Sequence, residues 1–255
     1  PHTGPTTASR QTFLTGNAVI GACRQLLLDL KQRVAGREGL EETDTFDLRG
    51  DCMVHKFSGK KIPLKELGDG FSASYRYIPM PTAPFQPVGE KSLYGTPEFK
   101  NRPTHWCYSY GTHAAIVEVD EETGDVRVLK IIASHDVGRI INRRAVEGQI
   151  EGGAVMGVGY ALSEQYIVKD GINLTDNLLK CGLITADRAP EIIVIPVEVA
   201  HPEGPFGLKG LAETPSLPTA PAVLNAVYDA VGVRINALPA TKEKVKAALE
   251  KLRGK

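Results

Sequence analysis

The stretch HAAIVEVDEETGDVRVLKIIASHD, residues 113–136, decides the fold class. Apolar and polar residues alternate on both sides of an acidic turn that contains Gly124, which predicts a β-hairpin. Directly downstream, NRRAVEGQIEGGAVMGVGYALSEQY (142–166) sets Val146, Ile150, Ala154, Val158 and Leu162 at every fourth position, the mark of a helix with one apolar face. Gly148, Gly152, Gly153, Gly157 and Gly159 interrupt that helix, each at ~1 kcal/mol against alanine, so another backbone or a ligand is expected to approach it closely. Beyond it, PEIIVIPVEVAHP (190–202) reads as a strand. LPTAPAVLNAVYDAVG (217–232) reads as a helix opened by Thr219 with Pro221 in its first turn, and PATKEKVKAALEKL (239–252) as a last helix capped by Thr241. Strands and helices mix without βαβ alternation, so the class is α+β, a mixed α/β arrangement.

Upstream of the hairpin the spacing of Val19, Cys23, Leu26, Leu27, Leu30 and Val34 predicts an amphipathic helix, capped at Thr15 or Asn17 and ended by Gly36. DCMVHKFSGKKIPL (51–64) reads as a short hairpin about Ser58 and Gly59. From Tyr75 to Pro103, prolines 79, 81, 84, 87, 97 and 103 exclude regular ladders. A loop of that length is either functional or a loosely held surface excursion, and both readings stand.

The chain has 255 residues, 42% of them hydrophobic, with 30 basic and 30 acidic side chains, enough for one large core or two small ones. Zero net charge offers no field for a phosphate backbone, so no nucleic-acid partner is expected. No apolar run of ~18 residues and no signal segment occur, so no membrane partner is expected and the protein is read as cytoplasmic. Pro1 in place of an initiator methionine suggests a segment that continued upstream. Cys23, Cys52, Cys107 and Cys181 lie far apart, which predicts reduced, buried residues rather than a metal site or a disulfide framework. The histidines lack metal-ligand spacing, no serine sits in a nucleophile elbow, and the glycines of GGAVMGVGYA lie within a helical pattern rather than at a strand–helix junction. His135 and Asp136 read as a strand-end capping network ahead of a catalytic pair.

Two segments remain. PTTASRQT (5–12) places small and hydroxylated residues before a helix, an arrangement that holds anions or simply caps the helix. GPFGLKGLAETPSLPTAPAV (204–223) carries one acid, Glu213, among apolar and turn-forming neighbours with Lys209 as its only other charge. Burial there would make Glu213 a competent general base; a surface acid is the ordinary alternative, and composition alone does not decide between them.

These motifs have a relative. HDVGRIIN, AVEGQIEGG and GVGYALSE, followed by GLKGLAETPSLPTAPAVLNAVYDAVGVRINALPAT, closely resemble the carboxy-terminal half of the molybdenum-binding subunit of the xanthine dehydrogenase and aldehyde oxidase family. PTTASRQTFLTGNAVIGAC resembles that family's pterin-contacting loop and the helix after it. The resemblance implies a carboxy-terminal molybdopterin-binding region over 1–255, with the pterin loop and helix at 1–36, the proline-rich loop at 75–103 and the glutamate motif at 204–223. It implies a molybdenum–molybdopterin cofactor, including its cytosine dinucleotide form, whose dithiolene rather than any protein side chain binds the metal. In the family a glutamate takes the proton of a molybdenum-bound hydroxyl, and Glu213 stands at its position. By the same carry-over Thr6, Thr7, Ala8, Ser9, Arg10 and Gln11 line the pterin, and Gln149 contacts the cofactor, giving a reason for the helix glycines. Ala212 replaces a common glycine, narrowing the space beside the metal, and Lys209 is read as structural. The implied activity is hydroxylation of an N-heteroaromatic, purine- or nicotinate-like, or of an aldehyde, with oxygen from water. Implied partners are a large amino-terminal molybdopterin subunit, an iron–sulfur subunit and an FAD subunit, as in the split-subunit members. The competing reading is a non-catalytic scaffold or cofactor-assembly subunit that retains the fold.

Overall fold

A 28-residue helix, α1 (Gln11–Glu38), opens the computed structural model, which describes residues 4–82, 97 and 103–254. It starts before the expected cap, because the Gln11 amide donates to Gly4 O (3.3 Å) and no breaker follows in QTFLT. It also runs past Gly36. Gly39, at φ 68°, forms the stop, with Leu40 N–H bonded to Ala35 O at 2.9 Å. Leu30 and Val34 are buried as expected, but Val19 and Cys23 are exposed, so only the second half of the predicted apolar face is covered.

This helix belongs to the first of two compact units, residues 1–5 and 11–106. Leu30 and Val34 pack there with Phe46, Met53 and Ile62 of a three-stranded antiparallel sheet, β1 (Phe46–Arg49), β2 (Cys52–His55) and β3 (Lys61–Pro63). The predicted hairpin is the β2–β3 pair, and β1 is an additional strand joined to β2 through Gly50 and Asp51. Residues 75–82 form no ladder. Tyr75 lies against Gly21, and Trp106 Nε1 donates to Met80 O at 2.7 Å. Residues 83–96 and 98–102 of the proline-rich stretch lie outside the described residues. All four cysteines are free thiols, but the expectation of burial fails: Cys23 is exposed and the other three are half-buried.

The second unit comprises residues 6–10 and 107–255. Its hairpin is β4 (Gly111–Val119) and β5 (Val126–Asp136), turned at Gly124, whose positive φ of 78° suits glycine. After it come α2 (Arg143–Leu162), a small hairpin of β6 (Val168–Lys169) and β7 (Ile172–Asn173), α3 (Leu178–Cys181), β8 (Glu191–Val197), α4 (Thr219–Val231) and α5 (Lys242–Arg253). The sheet order is β4-β5-β8, antiparallel in the first pair and parallel in the second, an α+β architecture. Ile150, Ala154 and Val158 of α2 pack on Val128, Ile131 and Ala133 of β5 and on Val223 of α4, as their spacing predicts. A second cluster joins Val227 of α4 to Val245 and Leu249 of α5.

The helix glycines divide. A Cβ at Gly153 would stand 2.7 Å from Pro215 Cβ, and one at Gly157 would stand 2.8 Å from Ser216 O, so these two admit the turn at 214–219 to the helix backbone. Gly148 and Gly152 face open space among the described residues. Polypeptide, rather than a cofactor, accounts for the close approach at 153 and 157.

Candidate functional site

The segment that bears Glu213 is fastened to the end of β5. Val137 N–H donates to Val197 O (3.0 Å), Arg139 N–H to Gly207 O (2.9 Å), and Gly138 bridges to Leu208. Gly138 has φ 66°, and a Cβ there would meet Gly207 O and Lys209 N at 2.6 Å, so HDVG and GPFGLKG fit together only through glycine. Asp136 and Lys209 close this junction with a buried ion pair at 2.5 Å, and Lys209 Nζ also donates to Tyr108 O at 3.0 Å. Asp136 Oδ1 accepts Gly138 N–H at 3.1 Å, the local cap expected of it.

From Lys209 the chain passes the Thr6–Arg10 loop. Arg10 N–H donates to Thr7 O at 3.2 Å, closing a turn whose central residues, Ala8 (φ 50°) and Ser9 (φ 52°), both take the left-handed conformation. Such residues cost ~1–3 kcal/mol each and persist where the surroundings hold them. Gly210 supplies the hold, since any side chain there would overlap Ser9. Ser9 Oγ donates to the Glu213 carboxylate and accepts the Glu213 backbone N–H at 3.2 Å, a reciprocal clasp. Of the two readings of Glu213, buried or surface acid, the structure selects the second: Glu213 is exposed, as are Ala212, Thr6, Thr7 and Ala8. The segment rises to the surface between two fastened points, so its apolar composition does not enclose it.

After Glu213 the chain turns through Thr214–Ser216, with Ser216 Oγ bonded to Glu213 O at 2.9 Å. Pro215 is buried against Gly153 of α2. Gln149 is exposed on α2, one turn before Gly153 and on the same face by the helical repeat. Ser9, Glu213 and the Gln149-bearing face of α2 are thus gathered in one unit. Gln11 belongs to the other unit, where its side chain is committed to Gly4 O, Pro5 O and Thr15 Oγ1. Beside the turn, Ser109, Tyr110, Gly111, Thr214, Leu217 and Pro218 line a cavity of 390 Å³, and Thr214 Oγ1 is buried with no hydrogen-bond partner among the described residues.

Below the turn lies a group that sequence reasoning missed. His113 Nε2 and His135 Nε2 are 2.7 Å apart, His113 Nδ1 is 2.8 Å from Thr219 Oγ1, and Thr219 Oγ1 donates to Pro215 O at 3.3 Å. The signal was available in strand parity: His113 shares a face with Ala115 and Val117, His135 with Ile131 and Ala133, and all of these point to the core. Burial first, and His135 second, push the His113 imidazole from 6.5 down to about 4, and burial lowers His135 as well. The unfolded chain therefore takes up these protons at higher pH than the folded one. Stability from the pair is complete above about pH 6.5 and is lost as pH falls toward about 4. Urea unfolding across that window should show stability rising with pH, and His113→Asn should flatten the rise.

The molybdopterin cofactor-binding domain family matches residues 1–190. The chain is 29% identical over 252 residues to a probable xanthine dehydrogenase component of Bacillus subtilis, covering 98% of this chain and 32% of that protein. It is 43% identical over 147 residues to the nicotine 6-hydroxylase large subunit of Paenarthrobacter nicotinovorans, covering 54% of this chain and 17% of that one. The solved aldehyde oxidoreductase of Desulfovibrio desulfuricans superposes with a TM-score of 0.69 at 30% identity, covering 97% of this chain and 24% of that one. The chain spans less than a third of the length of each of these relatives. No described helix is long and apolar enough to cross a membrane.

Proposed function

We propose, because this chain belongs to the molybdopterin cofactor-binding domain family, that it carries the base-bearing part of a molybdenum hydroxylase acting on an N-heteroaromatic or an aldehyde. The observation that carries this reading is the exposed Glu213 carboxylate, held by a strained turn whose Ser9 hydroxyl donates to the carboxylate and accepts the Glu213 backbone N–H. Strain of this kind gathers at functional sites.

The residues fit the cofactor. No group of three or more His, Cys, Asp or Glu among the described residues could hold a metal ion, so a metal beside Glu213 would bring its own ligands, as a pterin dithiolene does. The loop carries the Thr6 and Thr7 hydroxyls, the Ala8 and Ser9 backbone amides and the Arg10 guanidinium, groups that suit a polar heterocycle and its phosphate. Gln149 offers an amide from α2, and the unpartnered Thr214 Oγ1 is a further polar atom at the cavity. When bound, the cofactor supplies two-electron oxidation with oxygen drawn from water. The chain's own part is proton transfer and placement: a Glu213 carboxylate oxygen accepts the proton, Ser9 orients that carboxylate, and Ala212 beside it bounds the space at the base.

The large molybdopterin subunit, the iron–sulfur and FAD chains, and the cytosine dinucleotide form belong to the same proposal. One relative is named as a complex subunit, the 6-hydroxypseudooxynicotine dehydrogenase subunit gamma of Paenarthrobacter nicotinovorans. An apolar sheet face also supports it: Ile193, Ile195 and Val197 of β8 and Ile116 of β4 are exposed, which suits cover by the remainder of a molybdenum subunit.

The test is to isolate the intact assembly through a tag on this chain and measure molybdenum and pterin per chain while identifying the other polypeptides. Near-stoichiometric cofactor with redox partner chains is the expected result, and a solitary, pterin-free chain would overturn it.

A further inference from the structure

The histidine pair beneath the Glu213 turn lies outside the chemistry just described, yet its hydrogen bonds can be oriented atom by atom. Thr219 is fully buried and its hydroxyl has one proton, which goes to Pro215 O at 3.3 Å. His113 Nδ1, 2.8 Å from the same oxygen, must then be the donor to it. A neutral His113 that donates from Nδ1 has a bare Nε2, so His135 Nε2, 2.7 Å away, donates to His113. His135 Nδ1 is left as an acceptor, and it is buried with no hydrogen-bond partner among the described residues. The opposite orientation would sacrifice the bond to Pro215 and bury an unsatisfied N–H in place of a lone pair, the costlier error of the two. His135 itself lies against Gly111, where a Cβ would come within 2.5 Å of its Nδ1.

We propose that His135, His113 and Thr219 form a one-way hydrogen-bond chain that fixes the turn carrying Glu213, which makes His113 and Thr219 positioning residues. The chain ends on the carbonyl of Pro215, two residues beyond Glu213, and Pro215 is the residue seated on Gly153 of α2. It ties the turn to β4 and β5, while the glycine contacts tie it to α2. Because His135 is buried, His113 is half-buried and both rings are neutral at pH 7, the tether needs no counter-ion and holds one tautomer of each ring. This rests on the reading of Glu213 as the base, but the tether itself is a statement about the turn.

The experiment uses the assembled, cofactor-loaded protein and two readouts. In Thr219→Val, which keeps volume and removes the hydroxyl, hydrogen–deuterium exchange should accelerate at residues 213–219, where Ser216 N–H and Leu217 N–H bond to Glu213 O and Thr214 O at 3.3 Å. kcat should fall by about 10–100-fold, the order expected for a misplaced catalytic group, while KM and molybdenum content stay near wild type. Thr219→Ser should keep both readouts near wild type, whereas His113→Leu should behave like Thr219→Val. Wild-type exchange in Thr219→Val, or a loss that Thr219→Ser does not restore, overturns the proposal. Glu213→Gln separates the two ideas. Undiminished turnover in that variant would remove the base assignment, and the exchange readout would still decide whether the chain holds the turn.

Discussion

Glu213→Gln will yield a folded assembly with its molybdenum and pterin in place and turnover lower by about 10²–10⁴-fold, the range general bases contribute. Glutamine matches glutamate in size and still offers an oxygen to the Ser9 hydroxyl, so the clasp and the turn at Thr214–Ser216 survive. What it lacks is a carboxylate oxygen able to accept a proton. The loss should therefore fall on kcat and kcat/KM together, because the missing interaction is made only as the proton moves. Cofactor content measured on the same sample distinguishes lost chemistry from lost assembly. Wild-type turnover in a fully loaded Glu213→Gln complex would remove Glu213 from the mechanism and leave the scaffold reading in front.

Lys209→Met should destabilise the protein by about 3–5 kcal/mol, the cost of leaving one partner of a buried ion pair uncompensated. Lys209 and Asp136 side chains are only 7% and 10% exposed, so water cannot substitute for the missing ammonium at the Asp136 carboxylate. The same substitution also removes the hydrogen bond from Lys209 Nζ to Tyr108 O. Removing the charge on both sides, in Lys209→Met with Asp136→Asn, should recover much of the loss, since the penalty comes from the orphaned charge more than from the missing attraction. The urea midpoints of the two variants and the parent check this. Equal stability in Lys209→Met would mean that the HDVG and GLKG segments are joined by their backbone bonds alone.

Much of the architecture could be read from local pattern. The hairpin at 113–136, the apolar face of α2 and the two last helices depend on periodicity and turn residues, which act over a few positions, and they stand as predicted. The ends of α1 were misread because Gly36 and Gly39 look alike in one dimension, and only the backbone dihedral of Gly39 selects it as the stop. For the candidate site, the motif resemblance singled out Glu213, Ser9 and Gln149, whereas the choice between a buried and a surface Glu213 was not legible, because its apolar neighbours lie along the chain rather than around the carboxylate.

The amino-acid sequence by itself determined the α+β class, the family motifs and the identity of one acid in an otherwise nearly uncharged segment, because those properties reside in residue type and short-range spacing. Only the tertiary structure decided that Ser9 clasps Glu213 across 204 positions, that Gly153 and Gly157 admit Pro215 and Thr219, and that two histidines on neighbouring strands reach the turn. The physical reason is that such contacts are short in space and long in sequence. They are set by which faces of the sheet and helix pack together, and no local propensity encodes the partner on the other side.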